Sequence, residues 1–257
     1  MLRHGLLALA LFVGACNPTP PSRPETMPNA PSALVSIRIP PRTPVPGKPP
    51  LLVLLHGYGA DEHDLAGLAP HLDGRFDIRS ARGPQALAQG GYAWFALKIQ
   101  PDGERQFNED EAESSRKLVL RFIHEAVEAD DADPERVYVA GFSQGGILAS
   151  SIALTVPDRV AGVVAMSARI LPSAVARRVS DEALAGLPIL VVHGTQDTML
   201  PVENGRASRA LLSSLPVALT YREFPMPHTI SHDSLNLVSS WLTARLDEPE
   251  RRERLSR

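Results

Sequence analysis

Beyond residue 50, short apolar runs alternate with longer stretches in which apolar residues recur every three or four positions. LLVLL (51–55), RVYVA (136–140), VAGVVAM (160–166), PILVV (188–192) and VALTYREF (217–224) predict strands, with FDIRSA (76–81) a weaker candidate. Upstream, SALVSIRIP (33–40) alternates apolar and polar residues and predicts a first strand, closed by prolines that cannot continue a ladder. Helical spacing predicts helices over residues 110–128, 144–154, 203–212 and 234–246. Strands alternating with helices in this way build a mostly parallel sheet with helices on both faces, so the predicted class is α/β. Several strands are apolar throughout, which implies burial on both sides. Ligands of such sheets bind past the carboxyl ends of the strands, so the chemistry is sought there.

RVYVA runs straight into Gly141-Phe142-Ser143-Gln144-Gly145-Gly146 and then into the apolar helix that begins at Gln144. A Gly-x-Ser-x-Gly spacing between strand and helix lets the two elements approach closely around a strained serine. Ser143 then projects its hydroxyl at a helix N-terminus, where free N–H groups favour a developing negative charge. The rival reading is a glycine-rich turn whose serine caps the helix. Gln144 N–H, directly after the nucleophile, is one expected oxyanion donor. The second is Tyr58 N–H, in the loop His56-Gly57-Tyr58-Gly59 that follows LLVLL.

Strand–turn–serine sites of this kind order their partners as Ser, then acid, then His. PILVV is followed by His193-Gly194-Thr195-Gln196-Asp197, which makes Asp197 the candidate acid, with an Asx-turn or helix cap as the alternative. Only His228 and His232 follow it. Pro225 and Pro227 bar a helix after VALTYREF, so His228 is a loop residue at a strand's carboxyl end and the candidate base. His232 falls at the start of the last helix, with Ser231 a plausible N-cap. A zinc-binding HxxxH pair needs both histidines on one helical face, which Pro227 precludes, so no metal is expected. His56 and His193 each precede a glycine at a strand end and are read as holding their turns. The residues together describe acyl transfer through Ser143, His228 and Asp197, a chemistry that calls for no cofactor.

The chain has 257 residues, 44% of them hydrophobic, which suits one sizeable domain with appendages. A net charge of −3 and few aromatic residues offer no basic stripe for nucleic acid. Residues 1–16, MLRHGLLALALFVGAC, have the layout of an export signal whose apolar run is too short for a permanent membrane span. The only cysteine, Cys16, closes it, leaving no thiol for a disulfide or a zinc-thiolate site. Val13-Gly14-Ala15-Cys16 resembles the lipobox of bacterial lipoproteins, which implies lipidation at Cys16, a membrane anchor and a place in the cell envelope. Asn17 after it implies, by the same resemblance, the outer membrane facing the periplasm. The alternative is an ordinary secretory signal. Residues 17–31 are proline-rich and read as a tether, residues 32–246 as the folded domain, and residues 247–257 as a charged tail.

Five motifs carry a resemblance to a known family: LLHGYGADEHDL (54–65), GGYAWF (90–95), GFSQGG (141–146), HGTQD (193–197) and FPMPHTIS (224–231). Residues 50–246 resemble the phospholipase/carboxylesterase group of α/β-hydrolases, which also contains the acyl-protein thioesterases. The resemblance implies a compact α/β-hydrolase fold without a large lid. It implies a triad at Ser143, Asp197 and His228, oxyanion donors at Tyr58 and Gln144, and a small-molecule ester as substrate. It places Trp94 in the wall of the substrate pocket, against the alternative of a core tryptophan. One departure stands out: the family commonly carries Met-Gly-His where this chain has Met226-Pro227-His228. The expected activity is a serine carboxylesterase acting on short-chain esters. A lysophospholipase or thioesterase of the same family, a peptidase, and a non-catalytic lipoprotein on the same fold are the competing readings.

Overall fold

The computed structural model describes residues 32, 34–101 and 105–248. The signal, Cys16 and the tether, expected at residues 1–31, lie outside the described residues, as does the tail beyond residue 248.

In chain order the elements are β1 (Ser36–Ile39), β2 (Pro50–Leu55), α1 (Glu62–Ala66), β3 (Asp77–Ala81), β4 (Gln85–Ala86), β5 (Tyr92–Ala93), β6 (Leu97–Ile99) and β7 (Arg105–Phe107). They continue with α2 (Glu109–Ala129), β8 (Asp133–Phe142), α3 (Gln144–Thr155), β9 (Gly162–Met166), α4 (Pro172–Ala176), α5 (Asp181–Leu184), β10 (Pro188–Gly194), α6 (Val202–Ser213), β11 (Ala218–Phe224) and α7 (His232–Asp247). Seven strands form one sheet in the order β1-β3-β2-β8-β9-β10-β11, parallel throughout except that β1 runs antiparallel to β3. Two short hairpins, β4–β5 and β6–β7, lie outside it.

The apolar runs follow from this arrangement. Successive side chains of a strand point to opposite faces, and here each face is covered. Leu51, Val53 and Leu55 of β2 pack with Val137 and Val139 of β8 and with α2 and α3 in one core. Leu52 and Leu54 join Tyr138 and Ala140, together with α1 and α7, in the other. Strands β9 and β10 divide in the same way, Val163 and Ile189 to the first core, Val164 and Leu190 to the second. Helix α3 is buried along its length because it is packed against the sheet, α2 and α4. An all-round apolar helix is the pattern expected of such a position.

The strand and helix assignments agree with the predicted ones to within a few residues at each end. The pattern missed the short α1, α4 and α5 and both hairpins. Beside the edge strand β1, β3 carries charged residues for a reason that becomes visible only in register. Arg38 of β1 stands opposite Arg79 of β3, and two buried carboxylates neutralise the pair: Asp77, 2.7 Å from Arg38, and Asp130, 2.5 Å from Arg79.

Candidate active site

Strand β8 enters α3 through Ser143, whose backbone has φ 53° and ψ −115°. That region is strained for any residue with a Cβ. The turn is held from both sides: Ser143 N–H donates to Met166 O at 2.9 Å, and Gly145 N–H donates to His56 O at 3.1 Å. Gly145 is required by close approach, because a methyl there would lie 1.9 Å from the Leu55 carbonyl oxygen. Ser143 occupies the N-cap position of α3 but makes no side-chain capping bond. Its hydroxyl is turned instead to His228 Nε2, 3.0 Å away.

His228 lies in the loop after β11, and its Nδ1 is 2.7 Å from Asp197 Oδ2. The carboxylate accepts a hydrogen bond from Nδ1–H, which leaves the Nε2 lone pair facing the serine hydroxyl. Asp197, just past β10, is buried. Its other oxygen, Oδ1, accepts Met199 N–H at 2.9 Å and Leu200 N–H at 2.8 Å. One oxygen thus makes the Asx-turn contacts while the other faces His228. Gln196 N–H donates to Met226 O at 3.1 Å, which ties the loop of Asp197 to the loop of His228. Around Pro227, Thr229 N–H closes the turn onto the Pro227 carbonyl at 2.8 Å. The imidazole leans on Phe142, with ring centroids 4.8 Å apart, and keeps 17% of its surface exposed.

His232 is the first residue of α7, capped by Ser231 as the sequence suggests, and its Nδ1 meets the Asn236 amide at 3.1 Å. It stays at the surface, away from Ser143 and Asp197. Among the described residues the grouping of carboxylates and histidines tight enough for an ion is Asp61, Glu62 and His63, which includes neither His228 nor His232. His193 is buried and bonds Leu200 O through Nε2 at 2.8 Å, so it braces the turn that carries Asp197.

The loop after β2 passes beside Ser143: a methyl on Gly57 would lie 3.3 Å from Ser143 Cβ. Neither Tyr58 N–H nor Gln144 N–H donates to an acceptor among the described residues. The Gln144 side chain is spliced into the neighbouring backbone, accepting Trp94 N–H at 2.9 Å and donating to Phe95 O at 2.8 Å.

Trp94 requires a correction. Its side chain is 0% exposed, so it offers no wall to a substrate. It donates from Nε1 to His56 O at 3.0 Å and its carbonyl accepts the Ser115 hydroxyl. The alternative of a core tryptophan is the one realised, in a frame behind the loop of Tyr58. The sequence reading passed over Ser115 and the Gln144 side chain. The available signal was their polarity on otherwise buried helical faces.

Strand order, a strained serine between β8 and α3, and partners after β10 and β11 define the α/β-hydrolase class. Residues 44–246 match the phospholipase/carboxylesterase family, and the chain belongs to that family. It is similar to Carboxylesterase SOBER1 of Arabidopsis thaliana, 31% identical over 139 residues that are 52% of this chain and 60% of that protein. It therefore spans less than two thirds of that relative's length. Acyl-protein thioesterase 1 of Gibberella zeae is 26% identical over 162 residues, 60% of this chain and 68% of that protein. Among solved structures, the Bacillus cereus carboxylesterase superposes with a TM-score of 0.70 at 21% identity, covering 83% of this chain and 95% of that one. At that identity the likeness is one of fold.

Proposed function

We propose that this chain is a serine carboxylesterase that hydrolyses short-chain esters through an acyl-enzyme. The observation that carries the reading is the unbroken hydrogen-bond line from Ser143 Oγ through His228 to Asp197. In the first step His228 Nε2 takes the hydroxyl proton as Ser143 Oγ bonds to the acyl carbon. Asp197 steadies the imidazolium, and Tyr58 N–H and Gln144 N–H receive the negative charge that develops on the carbonyl oxygen. Breakage of the ester C–O bond releases the alcohol, which leaves with the proton held by His228. A water then attacks the acyl carbon by the same route, returning the acid and free Ser143. Among the described residues no helical cap domain is inserted over the strand ends, which favours small soluble esters over emulsified lipids.

Hydrolysis of p-nitrophenyl acetate and butyrate by the protein and by Ser143→Ala and His228→Ala tests the reading. Each substitution is expected to lower kcat/KM by roughly 10^4-fold. Full activity in both variants would refute it. A second reading, thioesterase or lysophospholipase, is favoured by the similarity to a protein named as a thioesterase. Turnover of a palmitoyl thioester or a lysophospholipid well above that of the short esters would replace the first substrate class by the second.

A further inference from the structure

The buried imidazole of His56 takes no direct part in the chemistry above, yet both its nitrogens are committed. Gly83 N–H donates to Nε2 at 2.9 Å, so Nε2 is the bare nitrogen and Nδ1 carries the proton. Nδ1–H donates to the Gly57 carbonyl, 2.6 Å away. Gly57 C=O and Tyr58 N–H are the two ends of one trans peptide unit, whose plane keeps them pointing in opposite directions. Holding the carbonyl toward His56 therefore turns the N–H away from it. Gly57 itself borders Ser143, a methyl on it lying 3.3 Å from Ser143 Cβ, and Tyr58 N–H donates to no acceptor among the described residues.

We propose that His56 is a positioning residue of the oxyanion hole, aiming Tyr58 N–H by gripping the other end of the same peptide. The inference rests on the serine-hydrolase reading above. The imidazole is itself immobilised. Its ring lies 5.4 Å from that of Trp94, and its own carbonyl accepts both Trp94 Nε1–H and Gly145 N–H. Trp94 also holds the Gln144 side chain, so one buried frame steadies the residues that bear both donors. Burial lowers the pKa of His56, which favours the neutral, singly protonated ring that this pairing needs. A second proton, on Nε2, would set N–H against the Gly83 N–H.

Two substitutions separate positioning from mere packing. In His56→Asn the amide can place a donor where Nδ1–H stood. In His56→Gln the polar end reaches the Nε2 position and can accept from Gly83, but no donor faces Gly57 O. Steady-state hydrolysis of p-nitrophenyl butyrate and inhibition by an alkyl trifluoromethyl ketone, which forms an oxyanion on Ser143, are measured for both. His56→Gln is expected to lose about 10^2-fold in kcat with KM within about twofold, and to bind the ketone more weakly by a similar factor. His56→Asn is expected to retain most of both. Equal impairment of the two variants, or a loss in KM alone, would overturn the proposal, as would a wild-type kcat in His56→Gln. If the serine-hydrolase reading failed instead, Ser143→Ala would be active whatever residue stood at 56.

Discussion

The strained backbone at Ser143 makes a prediction about stability that is independent of catalysis. Replacing Ser143 with Ala or with Gly removes the same hydroxyl and the same 3.0 Å contact with His228. The difference between the two variants therefore isolates the backbone. At φ 53° and ψ −115° any side chain costs about 1–3 kcal/mol, whereas glycine enters the region freely. Against this, glycine loses about 0.5–1 kcal/mol more conformational entropy on folding. Ser143→Gly should accordingly be more stable than Ser143→Ala by about 1 kcal/mol. In a domain of this size that corresponds to a Tm higher by about 2–4 °C. Urea unfolding followed by circular dichroism gives the difference directly. A glycine variant no more stable than the alanine variant would show that the turn stores no strain and that the reason given for its geometry is wrong.

Gly145→Ala sets a methyl 1.9 Å from a backbone oxygen that cannot rotate away; it is expected to cost about 1–3 kcal/mol in urea unfolding and to lower kcat by displacing Ser143 from β2. An unchanged midpoint and unchanged kcat would contradict that packing. For export, we propose cleavage before Cys16 and lipidation of its thiol. Mass spectrometry of the mature N-terminus from a bacterial host should show a diacylated or triacylated Cys16, and an intact Met1 or an unmodified Cys16 would refute the anchor.

The central strands were legible because of where their side chains go. In β2, β8, β9 and β10 the central positions 51–55, 137–140, 163–166 and 189–192 alternate between two cores, so each central run is apolar without interruption. Strand β3 read weakly because Asp77 and Arg79 belong to a charge network completed by Asp130, which arrives from the far end of α2. No local pattern announces such a partner. The short hairpins are likewise set by remote contacts, such as the bridge from Ala60 to Tyr92. Ser143, Asp197 and His228 stood out because each follows a strand whose end could be located, and the prolines around His228 kept it out of a helix. Asp197 read two ways by sequence because its two oxygens make different contacts, Oδ1 with the Met199 and Leu200 N–H groups and Oδ2 with His228. Trp94 was misplaced because a tryptophan's surroundings here depend on residues 56, 115 and 144, which are distant in the chain and adjacent only in the fold.

The contact between Gly145 and the end of β2 also bears on how the protein matures. Leu55 pairs with Gly141 across the sheet, joining segments far apart in sequence, and pairings of that kind are slow because long loops must close first. A collapsed chain with α2 and α3 already formed would have no His56 loop beside Ser143 and nothing to hold the serine in its unfavourable conformation. On the proposed function, esterase activity regained during refolding therefore reports completion of the longest-range strand pairing, and lags behind the recovery of helix.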